Sequence, residues 1–253
     1  FTKILFSVFI AWLSSPKNSL SRGHAGCKMA LTFYTNLRYC CREDRFVMDI
    51  KVLGISTSPR IRGNSDLLLR QALAGAESAG AQVEYLRLAD YKIGTCIECN
   101  ACYETGRCII QDDYQQLLQK MLDADRLIFA TPVFFMTVCA QAKMLIDRGQ
   151  CLWAEKYVLK KKSFASERDR RAMVIAVGGS RSKKQFESIR LTMTSYFDSL
   201  QMRYVSNLFV SKVDSRGEIE KHPSAAKEAY RLGSQLVAGD APPPETPVTI
   251  ELT

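Results

Sequence analysis

Four cysteines stand within thirteen residues, Cys96, Cys99, Cys102 and Cys108, at the spacing C-x2-C-x2-C-x5-C. Thiolates two residues apart on a turning chain can converge on one inorganic core, and four of them meet the ligand count of an iron-sulfur cube. Two other uses compete for the same thiols. Structural zinc favours two C-x2-C pairs joined by a longer arm, which this compact run lacks. A C-x2-C disulfide couple, or four reduced thiols, needs no metal. Gly106 suits all three uses, because it lets the chain turn back towards Cys108. The spacing points first to a cluster and leaves zinc and metal-free thiols open.

A second stretch reads Ser56-Thr57-Ser58-Pro59-Arg60-Ile61-Arg62-Gly63-Asn64-Ser65. It follows an apolar run and opens a helical pattern, so hydroxyls, Gly63 and unpaired backbone N–H groups stand at a helix N-terminus, where the dipole favours a phosphate. The order is neither G-x-G-x-x-G nor a Walker loop, which argues against a dinucleotide or a triphosphate. A phosphomonoester such as that of FMN suits it; an ordinary polar turn with an Asn or Ser cap is the alternative. Pro132 fixes the backbone in Thr131-Pro132-Val133-Phe134-Phe135, while Val133, Phe134 and Phe135 offer flat apolar surface and the backbone offers polar groups for the edge of an isoalloxazine. Alone, such an aromatic pair is ordinary core. Gly178-Gly179 is a third place where backbone can approach a ligand closely.

These stretches need elements to hold them. From Met48 onward strand and helix patterns alternate, which is the mark of a parallel sheet covered on both faces. Strands are expected over 50–55, 83–88, 126–130, 172–177 and 204–210, each a short apolar or β-branched run. Helices are expected over 64–80, from an N-cap at Asp112-Asp113, through Lys143 to Arg148, over 186–200 and over 224–237. This order predicts a single α/β domain, a flavodoxin-like doubly wound five-stranded parallel sheet. Its ligand should lie beyond the carboxyl ends of the strands, beside the first and third. The Lys- and Arg-rich residues 156–171 read as an exposed loop, Cys139 and Cys151 as core, and 239–253, after a run of three prolines, as a mobile tail.

Composition narrows the function classes. The chain has 253 residues, 47% of them hydrophobic, which suits a folded core rather than disorder. Of its formal charge of +9, +5 falls in residues 1–47, leaving +4 for the rest, an ordinary solvated surface rather than a nucleic-acid footprint. Residues 1–47 read as an extension, a gene-start artefact or dispensable segment in preference to a targeting signal, with the domain opening at Met48. Cysteines bunched inside a large core-forming domain point to a reducing cytoplasm, and no membrane attachment is expected.

Together, Ser56 to Ser65, the cysteine stretch running into Asp112-Asp113, Thr131 to Phe135, Lys143 with Asp147-Arg148, and Gly178-Gly179 resemble the iron-sulfur flavoprotein branch of the flavodoxin-like NAD(P)H-dependent FMN oxidoreductases. The likeness covers nearly all of residues 48–238. It implies FMN held at its phosphate by Ser56, Ser58, Arg60, Gly63, Asn64 and Ser65, and at its ring by Pro132, Val133, Phe134 and Phe135, with Gly178 and Gly179 close by. It implies a [4Fe-4S] cluster on the four cysteines, NAD(P)H as electron donor, and a quinone, small-molecule or redox-protein acceptor. It also implies a homodimer or homotetramer that brings cluster and flavin together. Two positions depart from the family's pattern: Glu98 stands where Gly often precedes the second cysteine, and Phe134 where Tyr is frequent. A non-enzymatic flavin and iron-sulfur electron carrier is the alternative reading, and a zinc-binding interaction module a more distant one.

Overall fold

A computed structural model of the protein describes residues 50–161, 168–238 and 242–253. The extension over 1–47, with Cys27, Cys40 and Cys41, therefore lies outside the described residues, as do 162–167 of the basic connection and 239–241 of the tail. In chain order the elements are β1 (Lys51–Ser56), α1 (Asn64–Ser78), β2 (Gln82–Arg87), α2 (Cys102–Thr105), α3 (Tyr114–Asp123), β3 (Arg126–Phe134), β4 (Thr137–Val138), α4 (Ala140–Arg148), α5 (Gln150–Trp153), β5 (Arg171–Val177), α6 (Glu187–Ser199), β6 (Arg203–Val210), α7 (Ala225–Ala238) and β7 (Val248–Leu252). Six strands run parallel in the order β2-β1-β3-β5-β6-β7, and β4 folds back antiparallel on the outer end of β3.

The strands read as continuous apolar runs because both faces are covered. Leu127 and Phe129 of β3 point into a core shared with α3, α4 and α6, through Leu117, Met121, Leu145, Ile189 and Phe197. Ile128 and Ala130 of the same strand point into the opposite core, shared with α1 and α7 through Leu68, Ala72, Leu232 and Leu236. The doubly wound flavodoxin-like fold is thus present. Among the described residues no helix is long and apolar enough to cross a membrane.

Three expectations need correction. The sheet has seven strands rather than five, because the hairpin strand β4 and the tail strand β7 join it. Val248-Thr249-Ile250-Glu251-Leu252 alternates as a half-buried strand should. It satisfies the open edge of β6, with Asn207 Nδ2 donating to Thr249 Oγ1 at 3.0 Å and the Ser211 N–H to the Leu252 carbonyl at 2.9 Å. The tail expected to be mobile is therefore partly sheet. The basic connection is not simply exposed either: Ala154–Val158 makes a π-helical turn, and the Arg170 guanidinium is buried. It caps chain ends at the foot of the sheet, donating to the carbonyls of Ala124, Leu200 and Met121. Burial brings its pKa down to about 10.

β3 also runs four residues past its expected end, through Pro132. Its neighbour β1 has already ended at Ser56, opposite Ala130, so the missing N–H of Pro132 breaks no ladder bond on that side. Beneath the sheet, α1 and α7 cross with backbones nearly touching. A Cβ on Gly233 would lie 1.8 Å from the Ala72 carbonyl oxygen, and one on Gly75 2.0 Å from that of Tyr230. Gly233→Ala should force the helices apart and lower stability by about 3 kcal/mol, read by urea unfolding of the full chain.

Candidate functional site

Four loops at the carboxyl ends of β1, β3, β5 and β6 line one cleft. Ten of the twelve residues expected at a cofactor stand in its wall: Ser58, Arg60, Gly63, Asn64, Ser65, Pro132, Val133, Phe134, Gly178 and Gly179. Ser56 and Phe135 do not. Ser56 ends β1 with its hydroxyl buried on the side of Tyr85. Phe135 occupies the hairpin tip and is fully exposed. Pro59, Val177, Val213 and Asp214 complete the wall. The signal for Asp214 was its position just past a parallel strand end, where ligands of such sheets sit.

The first loop is pinned before α1 starts. The Thr57 N–H and hydroxyl both donate to the Ala130 carbonyl at 2.9 Å, and the Ser58 hydroxyl accepts from the Arg60 N–H at 3.2 Å. A Cβ on Gly63 would meet Ser58 Oγ at 2.5 Å, so any larger residue there would displace the Ser58 hydroxyl. The Ser65 hydroxyl, in the first turn of α1 and 1% exposed, has no hydrogen-bond partner. Arg60 brings a cation to the cleft while its Nη1 donates to the Asp214 carbonyl at 3.2 Å. Asn64 has a different use from the one expected. Its amide donates to the Ser215 carbonyl at 2.9 Å and accepts from the Ile219 N–H at 3.3 Å, tying the fourth loop to the first.

The ring-side loop is a two-residue hairpin. Val133 pairs with Val138 and Phe134 with Thr137, and the turn residues Phe135 and Met136 have φ of 47° and 63°. Both lie in the left-handed region, as a type I′ turn demands and as aromatic and long side chains disfavour. Ser188 of α6 donates its hydroxyl to the Met136 carbonyl and holds the tip. Cys139 is core, as expected, and also a tie: its thiol donates to the Thr57 carbonyl at 3.1 Å, joining the hairpin base to the first loop. Opposite, a Cβ on Gly178 would lie 2.2 Å from Gln185 Oε1, and one on Gly179 3.0 Å from the Asp214 Cβ. Both glycines are tightly approached by side chains, which a Cβ would have to displace.

The four cysteines wall a second cavity, together with Ile97, Glu98, Asn100, Ile109, Ile110, Arg148, Gln150 and Cys151; it shares no residue with the cleft. Cys102 is buried, Cys96 and Cys108 half-buried and Cys99 exposed, all as free thiols. Glu98 and Asn100 flank Cys99 in left-handed conformations, φ 54° and 58°, and Gly106 at φ 75° turns the chain towards Cys108. Burial pushes the Cys102 thiol up, and its neighbours Cys99, Cys108 and Cys96 push the same way. Among the described residues, no three Cys, His, Asp or Glu side chains converge on a point that would hold a single metal ion.

Sequence reasoning missed what closes this loop. Arg148, quoted only as part of a motif, is buried. Its Nη1 donates to the Gly94 carbonyl at 3.1 Å and to Asp112 Oδ2 at 2.6 Å, and its Nη2 to the Ile110 carbonyl at 3.2 Å and to Asp112 Oδ1 at 3.1 Å. Gly94 and Ile110 bracket the cysteine stretch, so one guanidinium fastens both ends of it. The expected N-cap pair is split: Asp112 accepts from the Tyr114 N–H at 3.0 Å, while Asp113 accepts from that of Lys92 at 2.7 Å. Burial pushes the Asp112 carboxyl up, but Arg148 and the N–H groups of Gly94 and Tyr114 outweigh it and hold the group below its ordinary 3.8.

Comparison with known proteins bears on the family and the fold. The profile of the family described as NADPH-dependent FMN reductase matches residues 50–214. An iron-sulfur flavoprotein of Methanocaldococcus jannaschii is 48% identical over 103 residues, 41% of this chain and 53% of that one. An iron-sulfur flavoprotein of Methanosarcina thermophila is 33% identical over 141 residues, 56% of this chain and 70% of the other. The chain thus matches about half the length of the first relative. Among solved structures, the NAD(P)H:quinone oxidoreductase from Methanothermobacter marburgensis superposes with a TM-score of 0.56 at 16% identity, over 76% of this chain and 98% of that one, a likeness of fold.

Two outcomes are expected. The double substitution Phe135→Asn with Met136→Gly should relieve the hairpin tip and raise stability by about 1–2 kcal/mol in urea unfolding. For Asp112, the folded pKa lies below the unfolded one, so the stability it contributes is complete above about pH 4 and is lost as pH falls through the lower folded value. Asp112→Asn should cost about 3 kcal/mol at neutral pH, and the difference from the unsubstituted protein should shrink in acid.

Proposed function

The chain belongs to the NADPH-dependent FMN reductase family, and from that membership we propose that it is an FMN-dependent NAD(P)H oxidoreductase carrying a [4Fe-4S] cluster on Cys96, Cys99, Cys102 and Cys108. The observation that carries the flavin reading is the buried, unpartnered Ser65 hydroxyl in the wall of a cleft built by four strand-end loops. An orphaned buried hydroxyl is costly unless a ligand answers it.

The residues fit the group. Ser58, Ser65, the first backbone N–H groups of α1 and the Arg60 cation make a donor set for a phosphomonoester. Pro132, Val133 and Phe134 supply the apolar wall for a ring, and Gly178 and Gly179 leave room beside it. Asp214 is an acceptor, suited to a hydroxyl or ring N–H and not to a phosphate. When bound, FMN supplies the hydride-accepting N5 atom and the cluster a one-electron exit, so no side chain need act as acid or base. Four thiols wall one cavity, a donor set of the kind that an iron-sulfur core takes.

Because cleft and cysteine cavity share no residue in one chain, the oligomer implied by the resemblance would serve to bring one chain's cysteines to a neighbour's flavin. Exposed Ile97, Ile109, Trp153 and Tyr157 around the cysteine loop favour protein contact there. The same surface is the observation that favours the second reading, an electron carrier that takes nicotinamide poorly.

Stopped-flow mixing with NADH and with NADPH separates the two: flavin bleaching by either supports the oxidoreductase, and none with both supports the carrier. Ser65→Ala should weaken FMN binding about tenfold or more, measured by flavin fluorescence, since a hydrogen bond to a charged group is worth about 1.5–3 kcal/mol. Unchanged affinity would remove the phosphate assignment.

A further inference from the structure

Arg148 has one donor left over. Its two terminal nitrogens are fully engaged in fastening Gly94, Ile110 and Asp112, while Nε is buried and meets no oxygen or nitrogen acceptor, which leaves the Cys108 thiol as the group beside the guanidinium that can answer it. The side chain lines the cysteine cavity, and the Cys108 thiol is its neighbour there. The guanidinium is also fixed from one face by the Tyr114 ring, 4.5 Å from ring centroid to guanidinium carbon. A residue needed only to staple the loop would be finished with its four bonds. A buried N–H without an oxygen or nitrogen acceptor is rare in a folded chain and calls for an explanation, and sulfur at the mouth of this cavity supplies one.

We propose that Arg148 is a positioning residue that sets the reduction potential of the cysteine site, its Nε–H being the donor held for cluster sulfur and its charge stabilising the reduced form. This rests on the reading of the four thiols as cluster ligands. Four thiolates on a four-iron core carry net negative charge, and that charge grows by one when an electron arrives from the reduced flavin. No bond to the protein forms or breaks, and no proton moves to Arg148, whose guanidinium stays charged throughout. A fixed cation and an N–H aimed at sulfur both favour the more negative state and raise the potential. Asp112 offsets the charge from the far side, since it meets the terminal nitrogens and not Nε. Glu98, in the wall of the same cavity, acts in the opposite direction.

The test uses the full chain, reconstituted anaerobically with iron and sulfide, in unsubstituted form and as Arg148→Met, Arg148→Lys and Asp112→Asn. Iron and sulfide are counted in each, and the one-electron midpoint is titrated with dithionite and mediators under EPR. Arg148→Met should shift the reduction equilibrium about tenfold towards the oxidised cluster, a fall of about 59 mV. Arg148→Lys should recover part of that shift, and Asp112→Asn should move the midpoint upward. A midpoint unchanged in Arg148→Met at full iron content overturns the proposal. If that variant does not fold, an unchanged midpoint in Arg148→Lys together with an unchanged or lower one in Asp112→Asn overturns it. Unsubstituted protein that takes up no iron and sulfide overturns the cluster reading itself, and is told apart because it is seen before any substitution is made.

Discussion

Everything at the candidate site depends on the parallel register of β1, β3, β5 and β6. Ser56 ends β1 opposite Ala130, Pro132 stands opposite Val177, and Val177 opposite Val210, so three chain exits open on one edge of the sheet within a few residues of each other. Backbone hydrogen bonds carry that alignment past the strands themselves. The Thr57 N–H reaches the Ala130 carbonyl, and that of Gly178 reaches Val210. Because side chains alternate with a period of two, a slip of one residue would exchange the two cores, setting Ile128 among α3 and α6 and Phe129 against α1. Burial on both faces therefore fixes where the loops emerge.

The two sites are closed by different physics. The cleft is held by many small ties, each a neutral hydrogen bond worth about 1 kcal/mol: Asn64 to the fourth loop, Cys139 to the first, Ser188 to the hairpin tip. The cysteine loop depends on one strong tie, a buried bidentate Arg148–Asp112 pair whose loss of a single partner is worth about 3–5 kcal/mol. Backbone N–H ties support it at the same place: the Lys92 and Asp113 N–H groups donate to each other's residue, and the Gly94 N–H donates to Asp112. Concentrating the tie in one guanidinium also places a cation at the cavity wall, so closing the loop and charging the site are the same structural fact.

Much of this was legible in the sequence, and what was not has physical reasons. Periodicity located the five strands β1, β2, β3, β5 and β6 and the long helices that carry the two cores, because burial on two faces writes itself into composition. Ten cleft residues followed from the strand-end rule applied to three loops; Asp214 was missed because Ser211, Ser215 and Gly217 are scattered through the fourth loop and do not form a run to draw the eye. Asn64 and Asp113 look like cap or ligand residues by type, yet are spent on backbone groups 151 and 21 positions away, a pairing that only the fold decides. Arg148 sits in a helix whose pattern reads as an ordinary amphipathic surface with a basic last turn. Nothing local says that its guanidinium reaches Gly94, 54 positions earlier. β7 was hidden by the prolines before it and by the brevity of its alternation.

Backbone strain gives an independent view of where the chain has been shaped for something other than stability. Eight non-glycine residues among those described have φ in the left-handed region: Arg62, Glu98, Asn100, Phe135, Met136, Lys160, Gln201 and Lys212. Six of them fall in the phosphate-side loop, the cysteine loop, the hairpin tip and the loop after β6. Each such residue costs about 1–2 kcal/mol against glycine or a right-handed conformation, so the six together cost on the order of the net stability of a domain. Random accumulation would scatter them around both ends of the sheet, yet at the amino-terminal edge of the strands only Gln201, in the turn before β6, is of this kind. Glu98 is the sharpest case, because its position tolerates glycine better and it carries charge into a cavity walled by thiols. A carboxylate held there under strain, in the wall of the cavity that Arg148 also lines, makes sense as an electrostatic setting of the site and not as a contribution to folding.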